Sequence, residues 1–258
     1  MSDTSDVGAR FRALQGRFHS PFDFGDGRVT RPARVARRFR RRLRLLNIPA
    51  DLSGKRVLDI GAWDGYFSFE FERRGAQVLA IDTYAWDHGA FECFLFAREH
   101  FGSKVDYRRM DVHDLNPDAV GRFDLVFCAG VLYHMRNPLI GLERIRGVTA
   151  GRLILETHCL LPALHEWVPL ITFFPGDEDA TRFAWHHGGY PTQAWVVDAL
   201  KAAGFARSEV VYTPSFRWGK KLAALATNTP QSGRLIVHSF VDQGGSGLAQ
   251  IAPDGRRP

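Results

Sequence analysis

The chain is poor in residues that build covalent or metal frameworks. Its three cysteines (Cys93, Cys128, Cys159) are odd in number and far apart, and none forms a C-x-x-C pair. That excludes a disulfide framework and a thiolate zinc site. Each lies in an apolar context, as free core cysteines do. Long hydrophobic runs are missing as well. The longest clean one, Leu125–Tyr133, is too short to cross a bilayer. The N-terminus has no apolar signal core. No H-x-x-x-H pair occurs; Glu156, His158, Asp177, Glu178 and Asp179 offer donor atoms without a metal-binding spacing. The expectation is a cytoplasmic protein with no membrane partner and no metal.

What is present is an ordinary apolar fraction of 45% in 258 residues, enough for one large α/β domain. The decisive stretch is Arg56-Val-Leu-Asp-Ile-Gly-Ala-Trp-Asp-Gly-Tyr-Phe-Ser-Phe69. A short apolar run turns through Gly61 and Gly65 into a helical pattern, the strand–turn–helix where open α/β sheets bind nucleotide-like ligands. A dinucleotide fingerprint needs two further glycines where Trp63 and Tyr66 stand, and those side chains obstruct a pyrophosphate. Asp59 and Asp64 beside the turn repel phosphate. The pattern suits a cationic ligand without phosphate, such as S-adenosylmethionine.

Strands are expected at 56–60, 77–81, 105–109, 123–128, 152–157, 208–212 and 234–240, with helices at 66–74, 90–101, 138–148 and 192–203. This alternation predicts a Rossmann-like, doubly wound α/β sheet of about seven strands, mostly parallel with an antiparallel last strand. Residues 1–53 read as an N-terminal helical extension, with residues 1 to about 9 expected to be disordered. Residues 54–242 read as the main domain and 243–258 as a disordered tail. The segments 158–191 and 213–233 break the alternation and are aromatic-rich, so both are assigned to walls of a substrate pocket.

The formal charge is +6, and arginines crowd residues 31–44. Val35, Phe39, Leu43 and Leu46 recur there at helical spacing, giving an amphipathic helix with an arginine face. That face is either a solvated clamp or a site for RNA phosphates or an acidic substrate.

Carboxylates recur at predicted strand ends: Asp59 at the first, Asp82 (followed by Thr83) at the second, and Asp111 after the third. An acid roughly 20 residues after the glycine turn falls on ribose hydroxyls. With these residues, the chain from Arg56 to Phe240 resembles the class I S-adenosylmethionine-dependent methyltransferases. Ala129-Gly-Val-Leu-Tyr-His134 with Asn137-Pro138, and more weakly Ser20-Pro-Phe22…Gly25-Asp-Gly27, resemble the wobble-uridine tRNA carboxymethyltransferase branch. The resemblance implies that Gly61 and Gly65 line the methionine part of the cofactor. Asp82 would hold ribose, and Asp111 and the backbone of Val112 adenine. Ala129 and Gly130 would sit beside the cofactor and Tyr133 would reach towards its sulfonium side, with Asp59, Trp63 and Thr83 as further cofactor contacts. In that branch a lysine before the Pro-Phe pair binds a carboxylate on a modified cofactor; here His19 takes its place, while Arg234 matches a second carboxylate-binding position. An imidazole is the poorer partner, so ordinary S-adenosylmethionine is expected as donor, with S-adenosylhomocysteine as product.

Candidate bases for a hydroxyl acceptor are His158, His134, His186 and His187. Trp167, Phe173, Trp185, Tyr190 and Arg234 are candidate substrate contacts, although any single aromatic is equally at home in a core. The first reading is methylation of a small-molecule hydroxyl on a sugar or natural-product scaffold. The second is a tRNA-modifying transferase, and the third a non-catalytic cofactor-binding module.

Overall fold

The computed structural model describes residues 4–25, 27–160, 168–172, 188–213 and 232–242. Seven strands form one sheet: β1 (Arg56–Ile60), β2 (Gln77–Asp82), β3 (Asp106–Arg109), β4 (Phe123–Ala129), β5 (Thr149–Leu160), β6 (Arg207–Tyr212) and β7 (Ser232–Phe240), in the order β3-β2-β1-β4-β5-β7-β6. The pairs from β3 through β5 are parallel, and β7 runs antiparallel to both β5 and β6. The strand order reverses between β1 and β4. A crevice opens outside the carboxyl ends of the strands at such a switch point.

Alternation along the strands feeds two cores. Leu58 and Ile60 of β1 face one side, where they join Leu142 and Ile145 of α6 (Pro138–Val148) and Val196 and Leu200 of α7 (Gln193–Ala202). Val57 faces the other side with Phe71 of α3 (Tyr66–Arg73) and Phe94 of α4 (Phe91–His100). The central strands are therefore apolar on both faces, as covered parallel strands must be. Local chemistry fixes the helix ends. Pro138 opens α6, where a missing N–H costs nothing. Thr192 caps α7 through the amide of Trp195.

The N-terminal extension differs from expectation. Of the residues expected to lack order, those from Thr4 belong to α1 (Thr4–Leu14), and residues 1–3 lie outside the described residues. Phe11 of α1 packs with Phe18, Phe22 and Phe24 against Phe96 of α4, forming a separate aromatic cluster. This burial orders a segment whose own sequence is mostly polar. The arginine-rich helix is α2 (Ala33–Leu45). A short helix, α5 (Pro117–Val120), was not anticipated from the sequence; Asn116 caps it. The helix expected from Ala90 begins one residue later, after a wide turn at Trp86–Ala90. β5 continues three residues past its expected end at Thr157, which carries His158 on a strand. Most of 158–191 beyond β5, nearly all of 213–233, and the tail 243–258 lie outside the described residues. Ile171 and Pro191 form an antiparallel bridge across the part of the first insert that is described.

Phe18 is fully buried and touches three other phenyl rings. Phe18→Ala should lower unfolding stability by about 3–5 kcal/mol, the cost of emptying a packed aromatic site. Urea denaturation measures it. A loss below about 1 kcal/mol would mean that the cluster does not fold with the sheet.

Candidate active site

A cavity of about 1040 Å³ occupies the crevice. Its wall includes Asp59 near the end of β1 with Gly61 and Trp63 after it, Asp82 as the last residue of β2 with Thr83 after it, and Asp111 and Val112 after β3. Ala129, Gly130, Tyr133 and His134 follow β4, and His158 projects from β5. Tyr190 and Arg234 complete the same wall. Gly65 does not line it. It caps α3 at φ +84°, and a side chain there would collide with Phe69 (2.6 Å) and Phe94 (2.7 Å). The glycine is required for close helix packing, so its expected place on the cofactor wall is corrected to one behind it. Trp167, Phe173, Trp185, His186 and His187 lie outside the described residues.

Trp63 adopts a left-handed backbone (φ +54°), which is costly for a bulky side chain. Two hydrogen bonds hold it. Its amide donates to Asp82 Oδ2 (2.9 Å), and its carbonyl accepts from Trp86 Nε1 (2.7 Å). Asp82 Oδ1 accepts from the Ala85 amide (3.0 Å). Asp82 is thus fixed at the strand end by two loops, and burial raises its pKa despite these bonds. Asp111 caps the following turn, accepting from the His113 amide (2.9 Å) and contacting its Nδ1 (2.7 Å).

The N-terminal extension closes the cavity. Buried Asp64 accepts from the amides of His19 (2.8 Å) and Ser20 (2.7 Å) and from the Ser20 hydroxyl (2.6 Å). His19 thereby lies against Trp63, with ring centroids 5.1 Å apart. Burial, together with the positive charges of Arg42, Arg31 and Arg234, keeps its imidazole pKa low; the nearby Asp64 opposes them. From α2, Arg42 reaches the cavity and donates to Glu156 Oε2 (2.9 Å), the atom that also accepts from Arg234 Nη1 (2.9 Å). Sequence reasoning did not single out Arg42. The signal was there, because Arg42 falls three residues after Phe39, on the helix's apolar stripe rather than its arginine face. Glu156, weighed only as a metal donor, is an arginine anchor. Among the described residues, no group of three or more His, Cys, Asp or Glu could hold a metal ion.

His158 stacks with Tyr190 (5.3 Å) and meets Tyr133 edge-on (4.8 Å); His134 lies 4.0 Å from the Tyr133 ring. Burial raises the Tyr133 pKa, so its hydroxyl stays protonated. One cavity therefore combines a carboxylate-rich cradle at β1–β3 with an aromatic and imidazole wall at β4–β5.

Residues 30–209 match the family described as "Methyltransferase domain", and the chain belongs to that family. The match and the strand order place it among the class I S-adenosylmethionine-dependent methyltransferases. A tRNA U34 carboxymethyltransferase of Campylobacter hominis is 35% identical over 126 residues, which are 44% of this chain and 42% of that protein. A ubiquinone biosynthesis O-methyltransferase of Xanthomonas euvesicatoria pv. vesicatoria is 36% identical over 127 residues, 47% of this chain and 51% of that protein. The chain spans about half the length of the curated relatives it matches. The N-terminal domain of EvdMO1 with S-adenosylhomocysteine bound shares the fold at a TM-score of 0.67 and 21% identity, over 94% of this chain and 98% of that one.

The wall fits S-adenosylmethionine. Asp59, Asp64, Asp82 and Asp111 gather around the β1–β3 ends, and no lysine lines the cavity. Asp59, Asp64 and Asp82 are buried, and burial raises the pKa of each although Arg42 acts on Asp59 and His19 on Asp64; a positively charged ligand relieves that cost. Asp59 illustrates it. Its carboxylate accepts from the hydroxyl (2.5 Å) and the backbone amide of Ser68, yet burial pushes its pKa up to about 7. An unfolded aspartate titrates near ~3.9. The folded state therefore binds this proton more tightly, and the group's stabilising contribution is complete below about pH 4 and is lost as pH rises through about 7. A bound ammonium favours the ionised form. S-adenosylhomocysteine binding should thus strengthen between about pH 6 and 8 and release protons, and Asp59→Asn should flatten the profile. Calorimetry in buffers of different ionisation enthalpy measures this; a wild-type affinity independent of pH would sink the role given to Asp59.

Proposed function

We propose that this domain methylates a hydroxyl group on a small molecule, a sugar or natural-product scaffold, using S-adenosylmethionine in the cytoplasm. The observation that carries the reading is His158 at the end of β5, on the wall of the same cavity as the acidic cradle. Bound S-adenosylmethionine supplies a methyl carbon already activated by its sulfonium. What remains for the protein is alignment and removal of one proton. Asp82 and Thr83 are assigned to ribose, Asp111 and Val112 to adenine, and Asp59 and Gly61 to the methionine end. Gly130 leaves the passage beside Tyr133 free of a side chain. His158 accepts the acceptor hydroxyl's proton, with Tyr133 and Tyr190 orienting its ring. His134 packs on Tyr133 and serves that wall rather than the proton.

The second reading is a tRNA-modifying transferase. Arg34, Arg37, Arg38, Arg41 and Arg44 on the exposed side of α2 favour it. RNA binding through such a face weakens steeply with salt, and no binding to a tRNA at low salt removes this reading.

His158→Ala should lower kcat by about 10²–10⁴-fold and abolish the acid limb of the pH–rate profile. S-adenosylhomocysteine affinity should move less than about threefold, since the imidazole acts on the acceptor. A near-normal kcat in this variant would transfer the role of base elsewhere. In direct competition, ordinary S-adenosylmethionine should be the preferred donor; equal turnover with carboxy-S-adenosylmethionine would overturn the donor assignment.

A further inference from the structure

The cavity is electrically lopsided. The acids Asp59, Asp64, Asp82 and Asp111 belong to the β1–β3 ends, whereas Arg42 and Arg234 stand on the wall beside β5. Glu156, which holds both guanidiniums, is 1% exposed and is not itself on the wall. One carboxylate oxygen thus pins two cations from behind, leaving the pair with a net positive charge.

Each guanidinium carries five N–H donors; Arg42 gives one to Glu156, and Arg234 gives one to Glu156 and one to the Tyr133 hydroxyl, so donors remain on both. Arg42 Nε is buried, with no hydrogen-bond partner among the described residues. The Arg42 guanidinium lies over Phe67 (5.2 Å) and that of Arg234 over Tyr133 (5.6 Å), so each is held by a ring as well as by Glu156. Three polar groups converge on one place. Arg234 Nη1 (3.7 Å), Arg42 Nη2 (3.9 Å) and the Tyr133 hydroxyl (3.9 Å) surround the point where a side chain on Gly130 would begin. Glycine leaves that point open to the cavity. The exposed arginines of α2 add a positive field along the same helix.

We propose that Arg42 and Arg234 form a subsite for an anionic oxygen group, carboxylate or phosphate, carried by the acceptor. The substrate is then a hydroxy acid or a phosphorylated alcohol, and a neutral alcohol is a poor one. This rests on the methyltransferase reading above and adds the charge of its acceptor. The planar fork of each guanidinium suits either anion, and a lysine would not reproduce it.

The test uses the full chain loaded with S-adenosylhomocysteine and follows binding of benzoate, inorganic phosphate and benzyl alcohol by calorimetry. At least one of the two anions should bind about tenfold or more tighter than the alcohol. Whichever binds identifies the carboxylate or phosphate class. Arg42→Gln and Arg234→Gln should each remove most of that preference while S-adenosylhomocysteine affinity changes less than about threefold. Glu156 keeps one arginine in either variant, and Arg42→Lys, which keeps the charge but loses the fork, serves if Arg42→Gln fails to fold. Equal binding of anions and alcohol overturns the proposal, as does a preference that survives both glutamine variants. Carboxy-S-adenosylmethionine binding tighter than S-adenosylmethionine, with the advantage lost in Arg42→Gln, would place the anion on the donor and also overturn it. Phosphate displaced by an RNA oligonucleotide at equal phosphate concentration would place it on a macromolecule, with the same result. A wild-type chain that binds no S-adenosylhomocysteine defeats the methyltransferase reading itself, and that failure is seen before any anion is added.

Discussion

The buried carboxylate of Glu156 ties three parts of the molecule together. It stands on β5, beside the switch point of the sheet, and takes one guanidinium from α2 and one from β7. A buried carboxylate without a cation is strongly unfavourable, and losing one partner of such a group typically costs about 3–5 kcal/mol. Two arginines sharing one oxygen spread that risk. The arrangement also dictates where α2 lies. The helix cannot slide along the sheet without withdrawing Arg42 from Glu156, so the N-terminal extension is held over the cavity in one register. Asp64 does the same for the preceding segment through the amides of His19 and Ser20. The apolar stripe of α2 supplies burial, and the two carboxylates supply position.

The sheet sets up a gradient of charge across one cavity. Parallel strands deliver side chains to the same edge, so the residues around each strand end decide the local polarity. At the ends of β1 and β2 and just past β3 these include the acids Asp59, Asp82 and Asp111. Near β4, β5 and β7 they are glycine, tyrosine, histidine and arginine. The divide lies at the β1–β4 boundary, where the strand order reverses. A cationic nucleoside and an anionic acceptor would meet across that divide, each on the side whose charge opposes its own. Like-charge repulsion then discourages either from entering the other's place.

Much of this was legible in the sequence, for identifiable reasons. Arg56–Ile60 and Pro138–Val148 have the bounds their patterns imply, because an apolar run ending in a glycine turn and a proline at a helix start are local signals. The acids at strand ends were readable because the period of the α/β unit fixes where strands end. The Glu156 cluster was not. It joins residues 42, 156 and 234, and no local pattern encodes a contact of that separation. Arg42 was also hidden among many arginines, and only its phase on the helix distinguished it. The early start of helix α1, before residue 10, was not legible because its hydrophobic partners, Phe18, Phe24 and Phe96, lie elsewhere in the chain. Gly65 was misread because a positive φ is needed equally for ligand approach and for helix packing, and only the neighbouring Phe69 and Phe94 decide between them.

Rigidity at the acceptor end has a further physical consequence. A free surface arginine loses roughly 2 kcal/mol of side-chain entropy when a ligand fixes it. Arg42 and Arg234 have already lost most of that freedom to Glu156, Phe67 and Tyr133. The ordering cost falls on folding, where the carboxylate offsets it, and is not incurred again at binding. The same anchoring limits strength, because the carboxylate behind the pair cancels one of its two charges. In the proposed subsite such a pair would give direction to a bound anion. Six exposed arginines elsewhere on α2, screened by salt, lack that directionality. They steer anions towards the cavity, while the pinned pair orients them within it.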